Sequence, residues 1–230
     1  VKPVLEVEGL SFCFERNRPV LHDIAFRVWE GERLGIMGGN GAGKSTLLWC
    51  LLGLIKAAGS IRIFGEEPGA KSLARVGMVF QNPEDQLFMP TLTDDVALPL
   101  VNRGLPMSEA REMALERLEE VGLRDLGGRP ATKLSLGERK RASIAAALST
   151  SPELLLLDEP TAELDGRSAR QLAGLLGRLA VTAIVASHHL DFLRTIASRT
   201  LVLCGGRIIA DGPTPDILGD RALLEAAGLA

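Results

Sequence analysis

Gly38-Gly39-Asn40-Gly41-Ala42-Gly43-Lys44-Ser45, followed by Thr46, has the spacing G-x-x-x-x-G-K-[ST]. Glycines at these positions let successive backbone N–H groups turn inward around phosphate oxygens. The start of a following helix adds its positive dipole end, Lys44 reaches the β- and γ-phosphates, and the Ser45 hydroxyl is placed to ligate Mg2+. A second constellation lies at Asp158-Glu159, directly after the four leucines Leu154 to Leu157. A buried strand ending in two carboxylates presents them at the sheet edge where ligands bind. Asp158 suits holding Mg2+ through water. Glu159 suits accepting a proton from, or orienting, a water that attacks the γ-phosphate, because phosphoryl transfer asks mainly for positioning and electrostatics.

These residues need a scaffold, and the flanking patterns supply one. Arg33 to Met37 reads as a short apolar strand and Ser45 to Leu54 as an apolar helix, so the glycine-rich turn joins strand to helix. Before it, Val4 to Val7 and Ile24 to Val28 read as strands separated by the polar turn Glu15 to Pro19, a small antiparallel β region. Ile61 to Phe64 and Val76 to Phe80 are further strands. From Asn82 to Leu134 the pattern becomes helical and punctuated by Pro83, Pro90, Pro99 and Pro106, with a helix expected from an N-cap at Ser108 to Val121 and stopped by Gly122. Helices over Gly137 to Leu148 and Ser168 to Leu179 then alternate with strands Leu154 to Leu157 and Ala183 to Val185, which argues a parallel sheet. Leu201 to Leu203 and Arg207 to Ala210 around Gly205-Gly206 read as a closing β-hairpin. No internal repeat, heptad run or low-complexity tract is present.

The 230 residues, 46% of them apolar, suit one domain with subdomains. A net charge of −3 and a pI near 5.7 offer no basic surface for duplex DNA or an anionic bilayer, so nucleic acid is not an expected partner. Cys13, Cys50 and Cys204 are widely separated without metal-ligand spacing, as packing thiols in a reducing compartment would be. The longest apolar stretch, Leu47 to Ile55, falls far short of the roughly 20 residues of a membrane span. The opening residues lack the apolar block and cleavage site of a secretory signal, and a cytoplasmic location is expected.

Leu134-Ser135-Leu136-Gly137-Glu138-Arg139-Lys140-Arg141, about twenty residues before the acid pair, resembles the ABC signature motif. Leu136 replaces a glycine and Glu138 a glutamine of its commonest form, LSGGQ, whereas Ser135 and Gly137 are kept. The chain is similar to an ABC nucleotide-binding domain over nearly its whole length, residues 1–230. The resemblance implies an α/β fold: a P-loop NTPase (RecA-like) core with a parallel sheet, an N-terminal antiparallel β subdomain, and a helical subdomain inserted at about 82–140. It also implies ATP and Mg2+ as cofactors. Two ATP molecules would lie between the phosphate loop of one subunit and the signature helix of a second, in a homodimer or a heterodimer. Gln81 matches the glutamine that reaches Mg2+ and the attacking water, Asp165 lies in the segment that crosses the dimer interface, and His188 takes the position that contacts the γ-phosphate. His189 occupies a site that is usually acidic. Phe14 matches the aromatic that stacks on adenine, with a core position for Phe12 or Phe14 as the alternative.

Gln81-Asn82-Pro83-Glu84-Asp85-Gln86-Leu87-Phe88, with Thr93 to Ala97 after it, is similar to the energy-coupling-factor and cobalt/nickel importer ATPases. In that group the segment helps receive a transmembrane transporter subunit, so Asp85, Gln86, Leu87 and Phe88 become expected interface residues. The implied function is ATP hydrolysis at the cytoplasmic face of the cell membrane, as a peripheral subunit driving import of a metal ion or a vitamin. A soluble ABC ATPase, or the ATPase of another ABC transporter class, is the alternative. A long coiled-coil insertion or a second fused nucleotide domain would favour a soluble ABC protein, and neither is visible. A P-loop kinase or GTPase would need an acceptor lid or an Asn-Lys-x-Asp segment, also not visible.

Overall fold

The computed structural model describes residues 2–15 and 18–229. A three-stranded antiparallel sheet has the order β2-β1-β4, from β1 (Leu5–Glu15), β2 (Arg18–Val28) and β4 (Ala58–Ile63). The expected polar turn between the first two strands falls in part on residues 16 and 17, which lie outside the described residues. A six-stranded sheet has the order β5-β6-β7-β3-β8-β9. Its members are β3 (Arg33–Met37), β5 (Val76–Val79), β6 (Leu154–Asp158), β7 (Thr182–Ser187), β8 (Arg199–Cys204) and β9 (Arg207–Pro213). The first five of these run parallel, and β9 folds back antiparallel on β8. That return is the expected hairpin, with both Gly205 and Gly206 at positive φ, as a tight turn between twisted strands requires.

Parallel strands are covered on both faces, which is why β6 and β7 are buried along their whole length and read as apolar runs. One face of the large sheet packs with α1 (Lys44–Leu51) against the antiparallel sheet, burying Leu47, Leu48, Leu154, Leu156 and Ile184 with Leu5 and Ile24. The other face is closed by α5 (Leu136–Leu148), α6 (Gly166–Arg178) and α7 (Leu190–Ile196), around Leu155, Leu157, Val185 and Leu176. Each fully buried leucine contributes about 1.5–3 kcal/mol relative to an exposed one. The short helices α2 (Ala70–Leu73), α8 (Thr214–Gly219) and α9 (Arg221–Ala226) complete the chain.

Between β5 and α5 lie α3 (Leu92–Asn102) and α4 (Met107–Glu120). They pack on α5 through Val96, Leu100, Ala110, Ala114 and Leu118, with Ile144 and Ala145 in the same cluster. Thr91, not a proline-rich loop, opens α3 by accepting from Asp94 N, and Pro99 is tolerated inside it because four buried apolar residues anchor the helix. The expected N-cap at Ser108 is corrected: α4 already begins at Met107, after Pro106, which presets the extended-to-helical entry without a side-chain cap. Gly122, at φ 70°, stops α4 as expected.

Candidate active site

Four strands deliver the sequence-singled residues to one edge. Within the parallel ladder Met37 pairs with Ser187 and Asp158 with Ala186, so β3, β6 and β7 end level with one another. The turn after β3 begins at Gly38, where a Cβ would stand 2.5 Å from Leu203 O, so only glycine lets the loop pass the sheet edge. Gly43 caps α1 at φ 105°, a left-handed conformation that glycine adopts without strain, and the start of α1, Lys44 to Thr46, lines the cleft. A cleft of about 340 Å3 is lined by Phe14, Val20, Asn40 to Thr46, Gln81, Glu159 and His188. That is the size of a small-ligand site.

At its base the Lys44 ammonium, almost fully buried, donates to Gly38 O at 2.7 Å and Gly39 O at 3.1 Å and lies 3.0 Å from Glu159 Oε1. The same carboxylate oxygen meets His188 Nδ1 at 2.9 Å. Burial alone would raise the Glu159 pKa, but the His188 hydrogen bond and the Lys44 charge outweigh it and hold the group below its ordinary value. Glu159 is therefore an anion at neutral pH. Its backbone sits at φ 42°, uncommon for a residue with a Cβ, and is fixed there by Glu159 N donating to Ala186 O at 2.9 Å.

Asp158 is buried to 3% exposure, and burial pushes its pKa up although the Ser45 hydroxyl hydrogen-bonds the carboxylate. Its Oδ1 has no hydrogen-bond partner among the described residues. A buried, unpartnered carboxylate oxygen beside a serine hydroxyl fits a hard divalent cation, which takes oxygen ligands and would repay the desolvation. Glu159, His188 and His189 also bring a carboxylate oxygen and ring nitrogens within 4.8 Å of one another. The Glu159 oxygen is already shared between Lys44 and His188, and the His189 ring stacks on His188 at 4.1 Å between centroids. Burial and the neighbouring His188 hold His189 below the usual histidine pKa.

Phe14 is 60% exposed and lines the cleft, whereas Phe12 turns towards the antiparallel core and meets Phe14 edge-on at 4.8 Å. Gln81, exposed, follows β5 and reaches the same cleft. Ser135, Gly137 and Asp165 are not among the cleft-lining residues. Ser135 N-caps α5 in a capping box with Glu138, and Asp165 N-caps α6 by accepting from Ser168 N at 2.8 Å. A Cβ on Gly137 would lie 3.3 Å from Ser168 Oγ, so the two helix starts abut.

Of the four expected interface residues, Asp85 and Phe88 are exposed, Phe88 to 67%. The other two are corrected. Leu87 is buried in the helical core, and the Gln86 side chain is an internal strut that accepts from Phe80 N and donates to Ser143 O at 2.9 Å. Sequence reading missed Val20 as a wall of the cleft and Asp95 as the residue that shapes the Phe88 loop. Asp95 Oδ1 accepts from both Phe88 N and Met89 N at 2.8 Å. An acid one turn into a helix after an irregular loop is the only local signal for that second role.

A family model described as ABC transporter matches residues 21–162. A Geobacter sulfurreducens protein assigned as an ABC transporter ATP-binding protein is 45% identical over 98% of this chain and 93% of its own length. The energy-coupling factor transporter ATP-binding protein EcfA of Methanothermobacter thermautotrophicus is 40% identical over 98% of this chain and 76% of its own. Among solved structures, cbiO1 of Clostridium perfringens, part of the ABC transporter complex cbiONQ, superposes with a TM-score of 0.85 at 31% identity, covering 100% of this chain and 96% of that one. The dimeric post-hydrolysis state of the ATP-binding cassette MJ0796 bound to ADP and Pi gives a TM-score of 0.81 at 26% identity over 91% and 98%.

Proposed function

Because the chain belongs to the ABC transporter ATPase family, in which ATP hydrolysis drives transport, we propose that it powers an importer of the energy-coupling-factor type. The likenesses to EcfA and to cbiO1 support this subclass, as does the Gln81 to Phe88 segment. The cargo class is a transition-metal ion such as cobalt or nickel, or a vitamin. Residues 1–230 act as one nucleotide-binding domain, with the helical unit at about 82–140 serving as its coupling subdomain. The subunit sits peripherally on the cytoplasmic face of the membrane, as a homodimer or with a second ABC ATPase. Among the described residues no helix is long and apolar enough to cross a membrane.

The observation that carries the catalytic reading is the shared Glu159 oxygen, within 3.0 Å of Lys44 and 2.9 Å of His188. The backbone of residues 38–46 cradles the triphosphate, Lys44 moves its ammonium from Glu159 to the phosphate oxygens, and Phe14 stacks on the base. Freed of Lys44, the Glu159 carboxylate orients a water and takes its proton, while His188 holds that carboxylate and faces the phosphate on which charge builds. Ser45, Asp158 and Gln81 would hold Mg2+, which when bound neutralises phosphate charge. Ser135 and Gly137, at the start of α5, approach the nucleotide of the opposite subunit, and Asp165 lies at the junction.

Hydrolysis and gel filtration in ATP, for the wild type and Glu159→Gln, test this directly. Lost turnover with an ATP-dependent dimer is the expected result. Full turnover in the variant removes Glu159 from its role. ATP-dependent uptake of labelled nickel, cobalt or a vitamin into vesicles carrying the co-purified membrane subunit tests the cargo class, and uptake of none of them removes it.

A further inference from the structure

Lys140 lies on α5 little more than one turn beyond Ser135, and nothing in the phosphate chemistry above uses it. It is only 2% exposed, among the most deeply buried large side chains of the protein. A buried ammonium is costly unless its charge is matched and its N–H groups are partnered. Its Nζ donates to Gln81 O at 2.6 Å and to Glu159 O at 3.2 Å. Burial lowers the Lys140 pKa, while the charges of Glu163, Glu159 and Asp158 oppose that shift. Two of these acids, Glu159 and Glu163, have their backbones in the left-handed region, at φ 42° and 64°. The ammonium is thus bonded to one end of a strained loop and balanced by its carboxylates.

We infer that Lys140 is a positioning residue that locks the loop bearing Gln81 to the loop bearing Glu159, so that α5 carries both into register with the attacking water. The inference rests on the roles proposed above for Gln81 and Glu159. A second strut from α5, Ser143 O to Gln86, reaches the β5 side alone. Lys140 bridges both sides of the cleft floor from one atom. Because α5 packs on α3 and α4, a displacement of the helical unit passes through that atom to both loops together.

Lys140→Met keeps the apolar stem and removes the donor, leaving Gln81 O without a partner among the described residues and Glu159 O with Ala162 N alone. The phosphate loop, Lys44 and Phe14 are untouched. The expected result is a kcat lower by about tenfold or more, the scale of a misplaced reacting group, with the dissociation constant for ATP within about threefold of wild type. Combined with Gln81→Ala, the same substitution should cost much less than it does alone, because one of the groups it positions is gone. Lys140→Gln, a shorter donor able to reach one carbonyl, should give an intermediate kcat and serves in place of the methionine variant if that fails to fold. An unchanged kcat in either variant, a parallel loss of ATP affinity, or fully multiplicative losses with Gln81→Ala would each overturn the inference. Full turnover in Gln81→Ala alone would instead count against the role assigned to Gln81.

Discussion

The Lys44 ammonium and the Glu159 carboxylate form a buried ion pair at 3.0 Å, both side chains less than a tenth exposed, joining the glycine-rich loop after β3 to the acid pair at the end of β6. On the proposed roles, the cation that grips the triphosphate is also the cation that restrains the base.

Lys44→Met should weaken ATP binding by at least about tenfold, since a charge-assisted hydrogen bond is worth about 1.5–3 kcal/mol. It also carries a pH signature. Glu159 lies below its ordinary pKa, so its ion pair stabilises the fold above the unfolded-state value, and that stability is lost as pH falls through the lowered folded value. Without Lys44 the folded value rises towards the unfolded one. Melting temperature followed through the acid range should therefore depend less steeply on pH in the variant; identical profiles would refute the pairing.

Phe88 and Leu87 are adjacent in sequence and opposite in burial. Phe88→Glu should leave ATP binding and melting temperature close to wild type while abolishing stimulation of ATPase by the membrane subunit. Leu87→Ala should do the reverse, costing about 2–5 kcal/mol of stability through the cavity it leaves in the helical core. Calorimetry and ATPase assays with and without the membrane subunit separate the two.

Glu138 accepts from Ser135 N and Ser135 Oγ, both at 2.7 Å, and those hydrogen bonds lower its pKa. Glu138→Ala should destabilise the protein by roughly 1 kcal/mol by opening the capping box. The wild-type benefit is present above the unfolded-state carboxylate pKa and fades as pH falls through the lowered value. Denaturant midpoints at neutral and acid pH should converge for the two proteins.

Cys50 is buried on α1 and its thiol is pushed up to about 11 by burial, whereas Cys13 is exposed. A thiolate-selective alkylating agent at mildly alkaline pH should modify Cys13 in the native protein and Cys50 only after unfolding. Mass spectrometry of the peptides reads this out, and native labelling of Cys50 would contradict the packing of α1.

What the sequence made legible was chemistry held in short, ordered runs. The residues 38–46 loop, Asp158-Glu159 and the Gly205-Gly206 hairpin carry their geometry locally, in glycines that permit positive φ and leucines that demand burial. The interior of the helical unit was harder to read. Pro90 and Pro99 look like punctuation, yet α3 runs through Pro99 because Leu92, Val96, Ala97 and Leu100 are fixed by tertiary packing. Glu138-Arg139-Lys140-Arg141 carries no local signal that separates Lys140 from its charged neighbours, yet Lys140 is buried, because two strand-end loops meet over that position. Gln86 and Leu87 share a segment with the expected interface residues Asp85 and Phe88, yet after the 3-10 turn Pro83–Asp85 they point inward.

The strand order has a consequence for how the protein comes into being. β7 is inserted between β3 and β6, so the phosphate loop and the acid pair have no shared wall until residues 182–187 have left the ribosome and threaded into the gap. A nascent chain can display the entire glycine-rich segment and still lack His188 and the neighbour that seats Glu159. The cleft is thereby left without a wall during synthesis and is completed only once the sheet has closed.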